Sequence, residues 1–270
     1  MNLVMLAIGV ALGAFLAGGA ATFGLALRGS VLLAAIAVVL IGGGANALND
    51  VFDVEADRVN RPGRPLASGM LSRPVAVGVW LVASGIGLAI SAGLSAEHFM
   101  VAAVAVAAMF VYNYRLKRVA VAGNVIVSAL VATTIIFGAL LGREPGRGVV
   151  AAVFAFLVTL GREIIKDAED VLGDDATGAR TLPLLIGVRR SVIIACAIAV
   201  VVVSLTPVPF LMLGYSSLYL SIVLVADAFL LGAVWWALTL ENVGIARASA
   251  WLKWAMLAGM AALAGSEALE

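Results

Sequence analysis

Charge and cysteine are what this sequence has least of. Of its 270 residues, 12% are charged, 63% are hydrophobic and one is a cysteine. An ordinary soluble domain carries about a quarter charged residues, so a water-bathed core is excluded as the host for so much apolar surface. A bilayer fits, because each spanning helix takes about 20 predominantly apolar residues. Cys196 lies in an apolar run with no second thiol, which excludes a disulfide framework and a thiolate metal site. The formal net charge is +1 and the basic residues are not gathered on one soluble face, so no nucleic-acid partner is expected. No basic residue precedes the first apolar run, Leu3 to Leu27, and that run is too long for the apolar part of a secretory signal. It reads as a retained first helix.

What the sequence does have is apolar runs of spanning length: 3–27, 31–48, 75–95, 98–114, 120–142, 148–166, 191–213, 216–240 and 248–266. They predict an all-α integral membrane protein of nine transmembrane helices, with residues 1–270 forming one domain. The connections after helices two, four, six and eight hold Arg58, Arg61, Arg64 and Arg73; Arg115, Lys117 and Arg118; Arg162, Lys166, Arg180, Arg189 and Arg190; and Arg247 and Lys253. The opposite connections hold Arg28, Arg143 and Arg147. The positive-inside rule therefore puts the first set, and the N-terminus, in the cytoplasm of a multi-pass cell-membrane protein. Nine spans leave the C-terminus outside.

The acidic residues gather on the same face, although the rule does not require it. Asp50, Asp53, Glu55 and Asp57 end helix two, and Glu163, Asp167, Glu169, Asp170, Asp174 and Asp175 end helix six. If helix two continues, Asn49, Asp53 and Asp57 stand at i, i+4 and i+8 and project as one ladder of oxygens. Asp167, Asp170 and Asp174 share a face in the second cluster and repeat the i, i+4 carboxylate spacing. Acidic residues between helices often only keep a loop in water. Yet like charges at i, i+4 repel by a few tenths of a kcal/mol per pair, and a bound cation reverses that sign. Ladders of oxygen suit Mg²⁺, a hard ion held by one or two carboxylates together with substrate phosphates.

The first ladder is followed by Asn60-Arg61-Pro62-Gly63-Arg64-Pro65, in which the prolines forbid continuous helix. Arg61 and Arg64 are either ordinary positive-inside residues or guanidinium forks for phosphate oxygens. Tyr112 and Lys117 end helix four, where tyrosine belts and basic residues are common. Here Lys117 is a candidate for a leaving diphosphate and Tyr112 for a developing cation. Asp227 lies inside helix eight and is expected to pair with a polar group in the bundle. His98 opens helix four on the opposite face and has no assigned role. Trp235, Trp236, Trp251 and Trp254 read as interfacial anchors.

The run Asn49-Asp50-Val-Phe-Asp53-Val-Glu-Ala-Asp57, with Asn60-Arg61-Pro62-Gly-Arg64-Pro65 and Ser68-Gly69, resembles the first aspartate-rich motif of the UbiA prenyltransferases. Asp170-Val-Leu-Gly-Asp174 with Gly178-Ala-Arg180-Thr181-Leu182-Pro183 resembles their second. Asn46 to Asp50, Gly161 to Asp167 and Gly178 to Pro183 look most like the branch of archaeal digeranylgeranylglyceryl phosphate synthases. That resemblance implies a UbiA-type bundle with a central cavity open to the cytoplasmic side, and geranylgeranyl transfer from its diphosphate to geranylgeranylglyceryl phosphate. It implies one Mg²⁺ on Asn49, Asp53 and Asp57 and another on Asp170 and Asp174, with Asp167 as a candidate proton acceptor. Arg61, Arg64, Tyr112, Lys117, Arg162 and Lys166 join Asn49 as diphosphate-binding candidates. Partners are then the isoprenoid donor, a lipid-phosphate acceptor and membrane lipid, with no obligatory protein partner. One departure is that only Met1-Asn2 precedes helix one, where the family has an Arg-Pro-x-Asn segment; a truncated start there would remove an acceptor contact. Rival readings are a quinone-type aromatic or tetrapyrrole acceptor within the same superfamily, a cation-coupled transporter, and an alcohol phosphotransferase.

Overall fold

The computed structural model describes residues 3–19, 25–176 and 178–265. Met1 and Asn2, where the family's N-terminal motif was sought, lie outside the described residues, as do residues 20–24 of the first apolar run. The described chain is helical, with one isolated parallel bridge between Val119 and Arg180 as its extended pairing. Its long helices are α1 (Leu3–Gly18), α2 (Leu25–Asn60), α3 (Arg73–Leu94), α4 (Ala96–Tyr114), α5 (Ala122–Ala139) and α6 (Gly148–Glu169). The short α7 (Val171–Ala176) and α8 (Leu182–Ile186) follow, then α9 (Val188–Leu205), the short α10 (Val208–Met212), α11 (Ser217–Ala237) and α12 (Asn242–Gly265).

Seven of these helices are long and apolar enough to cross a membrane. The two remaining long ones are α1, with 16 residues, and α12, which carries Arg247 and Lys253 within its length. The helix starts follow local chemistry. Ser95 and Ser216 cap α4 and α11 by accepting from the backbone N–H of His98 and Tyr219. Pro74 opens α3, where its missing N–H costs nothing.

Packing runs through α1, α5 and α6. Without a hydrophobic drive between helices in lipid, close approach depends on small residues, and α1 meets α5 at Gly13 and Gly138. A Cβ on Gly138 would stand 2.7 Å from the carbonyl carbon of Val10, and one on Gly13 would stand 2.8 Å from that of Ile135. On one side of this seam, α1, α2, α4 and α5 bury Val10, Ile41, Ala45, Ala102, Met109 and Phe137. On the other, α6, α9, α11 and α12 bury Ile165, Val192, Val202, Leu230, Ile245 and Leu252. Each side holds an apolar cavity that is partly open to its surroundings. One, of about 410 Å³, is lined by Leu6, Ile41, Gly42, Met109 and Phe137 among others. The second, of about 540 Å³, is lined by residues including Leu12, Phe154, Tyr219, Leu230 and Met260.

The intramembrane Asp227 accepts a hydrogen bond from Thr206 at 2.9 Å, the polar partner its position called for. The tryptophans divide. Trp235 and Trp254 are exposed, in keeping with an anchoring role. Trp236 instead lies under the guanidinium of Arg247, 4.3 Å from its ring centre. Trp251 is half-buried, packing over Gly232 and edge-on against Phe229.

Candidate active site

At 1.5 Å per residue, the 36 residues of α2 extend for about 54 Å, well beyond the hydrocarbon thickness of about 30 Å. The helix therefore runs unbroken through the first acidic segment. Asn49, Asp53 and Asp57 do share one face, and the Asn49 amide donates to Asp53 Oδ2 at 2.7 Å. The loop after α2 folds back on it. Arg61 N donates to the Asp57 carbonyl and Ser68 N to that of Arg64. Leu66 is buried against Val54 and Ala76, and this small apolar contact aims Arg64 at the ladder. Its Nη1 reaches Asp50 Oδ1 at 2.7 Å and Asp57 Oδ2 at 2.9 Å.

Lys117 comes from the 3₁₀ turn Leu116–Arg118 after α4. Its Nζ bonds Asn49 Oδ1 at 3.0 Å and pairs with Asp53 Oδ2. The turn is held tightly. A Cβ on Gly123 would sit 3.2 Å from Tyr112 Cε2 and 3.3 Å from the Leu116 carbonyl, so glycine lets α5 close on α4 here. Val121, between Lys117 and α5, holds φ at 66°, a left-handed conformation that a β-branched residue adopts only under constraint.

The second cluster differs from its sequence reading. It is not one continuous helical face, because α6 ends at Glu169 and Asp170 leaves the helix at φ −93° and ψ 10°. The i, i+4 relation of Asp170 and Asp174 survives through a single backbone bond, Asp174 N to the Asp170 carbonyl at 3.1 Å. Burial and the neighbouring charge of Asp170 hold the Asp174 carboxyl above the usual carboxylate range, with Lys117 pulling the other way. Asp167 stays on α6, where its Oδ2 accepts from the Asn124 amide of α5 at 2.8 Å. Asn124 is itself buried, and its carbonyl accepts from Ser128 at 2.6 Å.

The two clusters meet. The α7 turn packs on α2, and Arg61 Nη2 reaches the two carboxylate oxygens of Asp170 at 3.5 and 3.3 Å. The Val119–Arg180 bridge ties the Lys117 turn to the loop beyond α7. Tyr112 stands among the charges of Glu163, Asp53, Asp167 and Asp174. Arg162 and Lys166 bond Glu163, at 2.9 and 3.2 Å, rather than either aspartate motif. Asn124 was not singled out in the sequence, and Glu163 stood there only as one of the acidic residues ending helix six. A polar residue near the start of an otherwise apolar helix is the one signal Asn124 carried.

Among the described residues no three His, Cys, Asp or Glu side chains converge into a metal cage. The donor set is carboxylate and amide oxygen, partly buried, in pairs one turn apart and flanked by Arg61, Arg64 and Lys117. That chemistry fits Mg²⁺, which takes few protein ligands and completes its shell with phosphate and water.

An all-helical membrane bundle with facing aspartate clusters and basic side chains beside them defines an intramembrane group-transfer site for phosphorylated substrates. Residues 5–262 match the UbiA prenyltransferase family, and the chain belongs to it. A digeranylgeranylglyceryl phosphate synthase of Methanopyrus kandleri is 36% identical over 242 residues, 87% of each chain. A solved structure concerned with digeranylgeranylglyceryl phosphate synthase in membranes aligns with a TM-score of 0.75 at 26% identity, covering 98% of this chain and 94% of its own. A UbiA homologue of Archaeoglobus fulgidus, solved bound to GPP and Mg²⁺, shares the fold with a TM-score of 0.68 at 17% identity over 97% of this chain and 96% of its own.

Proposed function

We propose that this protein transfers a geranylgeranyl group from geranylgeranyl diphosphate to the hydroxyl of geranylgeranylglyceryl phosphate, making an ether bond of archaeal lipid. The observation that carries this reading is the meeting of the α2 ladder and the α6–α7 cluster around Tyr112. The family and the names of its relatives support the substrate pair. Mg²⁺ would be held by Asn49, Asp53 and Asp57 and by Asp170 and Asp174. When bound it supplies positive charge that neutralises the diphosphate.

Arg61, Arg64 and Lys117 bind diphosphate oxygens, exchanging their carboxylate partners for the substrate. The allylic C–O bond breaks with its electron pair leaving on the diphosphate, and Lys117 stabilises that charge as it grows. The face of Tyr112 lies beside the allylic carbon. The acceptor oxygen forms the new C–O bond, and its proton passes to Asp167, which Asn124 holds in place. The cavity between α1, α2, α4 and α5 begins about two helical turns from Asn49, at Gly42, and takes the apolar chain of the donor away from water. Nine spans, with the site and the N-terminus facing the cytoplasm, complete this reading, in which residues 1–270 act as one domain. The positive-inside distribution supports it.

The test is purified protein given geranylgeranyl diphosphate, Mg²⁺ and, in turn, geranylgeranylglyceryl phosphate, a quinone-precursor aromatic acid and a tetrapyrrole, with products read by mass spectrometry. Ether product from the lipid phosphate is the expected result. Product from another acceptor alone rejects the lipid assignment, and product from none rejects the transferase reading.

A further inference from the structure

Two substrates of the proposed reaction carry phosphate, and they cannot share one set of cations. The donor brings a diphosphate and the acceptor a monophosphate on a glycerol backbone, and both are present when the bond forms. Like charges repel strongly in a sheltered site, so each anion needs its own positive partners.

The basic side chains around the site fall into two groups by what they hold. Arg61, Arg64 and Lys117 each sit on a carboxylate of the aspartate motifs. Arg162 and Lys166 stand one turn apart on α6 and both bind Glu163, which belongs to neither motif. Their side chains are 20% and 33% exposed and that of Glu163 is 13% exposed. A residue that merely obeys the positive-inside rule has no need of such shelter. Arg162 bonds Glu163 through Nη1, while its Nε is buried with no hydrogen-bond partner among the described residues. A guanidinium has five donors in a fixed fork, so this one has capacity directed into the protein that Glu163 does not use. Tyr112 feels the charges of both Glu163 and Asp53, so the carboxylates that the two cationic groups hold act on one ring.

We infer that the last turns of α6 form the acceptor's own phosphate site, in which Arg162 and Lys166, drawn together by Glu163, take the lipid monophosphate. This rests on the transferase reading above and adds the group that distinguishes the acceptor. Lys166 bonds Glu163, which stands one turn before Asp167 on the same face of α6, and the reacting hydroxyl of a glycerol phosphate lies a few bonds from its phosphorus. A phosphate on Lys166 therefore delivers that hydroxyl to Asp167, on the side of the helix that Asn124 supports. The diphosphate stays across Tyr112 on the α2 ladder.

The experiment measures steady-state transfer by the purified full chain with Mg²⁺. Two acceptors are compared: geranylgeranylglyceryl phosphate and the same lipid without its phosphate. Arg162→Gln and Lys166→Gln are each set against Arg64→Gln as a donor-side reference. Loss of a charge-assisted contact should raise the KM for the phosphorylated acceptor about tenfold or more. It should also shrink the enzyme's preference for phosphorylated over phosphate-free acceptor, while the donor KM moves much less. Arg64→Gln should do the reverse, raising the donor KM and keeping the preference. Unchanged preference in both α6 variants, or a rise confined to the donor KM, overturns the inference. If Arg162→Gln does not fold, Lys166→Gln decides alone, because it leaves the Arg162–Glu163 pair intact. Wild-type protein that makes no product from the phosphorylated lipid fails the transferase reading itself, a different result from active protein whose variants behave like wild type.

Discussion

The two acidic clusters serve one site but are built in opposite ways. The α2 ladder rides on an unbroken helix, and cations already neutralise it: Arg64 on Asp50 and Asp57, Lys117 on Asp53. The second cluster straddles a helix break at Asp170, its Asp167 is held by a neutral amide, and its Asp174 is held above the ordinary carboxylate range by burial and by Asp170. One half has a cation bonded to each of its aspartates, while in the other the Arg61–Asp170 ion pair is longer, at 3.3 Å, and burial works against the charge of Asp174. A ligand bringing cations gains most at the second half and is positioned by the first.

Removing a carboxylate should have the largest effect on that contrast. Asp53→Ala and Asp174→Ala should each lower Mg²⁺-dependent transfer by about 10²-fold or more, the scale of losing a transition-state electrostatic contact. Wild-type rates from either variant in the purified-enzyme assay would remove the shared-site reading. The halves should then part in stability. A carboxyl whose folded pKa is raised costs stability at neutral pH and returns it as pH falls through that value. Asp174→Asn should therefore leave the ligand-free protein at least as heat-stable as wild type at pH 7. Asp53→Asn takes away the charge that Lys117 pairs with, leaving it the Asn49 amide oxygen, and should lower the unfolding temperature in detergent. If both variants shift it alike, the contrast between the clusters fails.

Next in size is Asn124→Leu, which leaves Asp167 partly buried without its donor. A stability loss of about 1–3 kcal/mol is expected, with a fall in kcat larger than any change in the donor KM. Arg61→Gln cuts the ion pair between the halves, but that pair is 3.3 Å long and both partners are partly exposed. Its stability cost should stay within about 1 kcal/mol, read by thermal unfolding, although the donor KM should rise. The smallest effect belongs to Arg58→Gln. Arg58 pairs with Glu55 on the exposed side of α2, and neither KM value should move.

The sequence made the first cluster legible and the second only partly so. Asn49, Asp53 and Asp57 announce themselves because 3.6-residue periodicity turns a spacing of four into a shared face, and nothing in that stretch breaks a helix. Gly173 and the run of like charges from Glu169 to Asp175 weaken the same argument after α6, where the chain turns at Asp170. Side-chain pairings across helices lay outside any spacing rule. Arg64 reaches Asp50 only because Leu66 pins its loop, and Asn124 meets Asp167 only because α5 packs on α6. The Gly13–Gly138 contact was equally invisible, since 29 glycines look alike until a neighbour's backbone comes close to two of them.

The length of α2 carries one more consequence. Its lower turns belong to the hydrocarbon and its last turns project past it, so the helix acts as a depth gauge for whatever docks on its carboxylates. On the proposed reading, the reacting carbon of every donor meets the acceptor at one height in the membrane, however long the tail behind it. Tail length is then sensed only by the apolar space beneath, and narrowing that space at Gly42 should change which isoprenoid is accepted without altering how its head is handled.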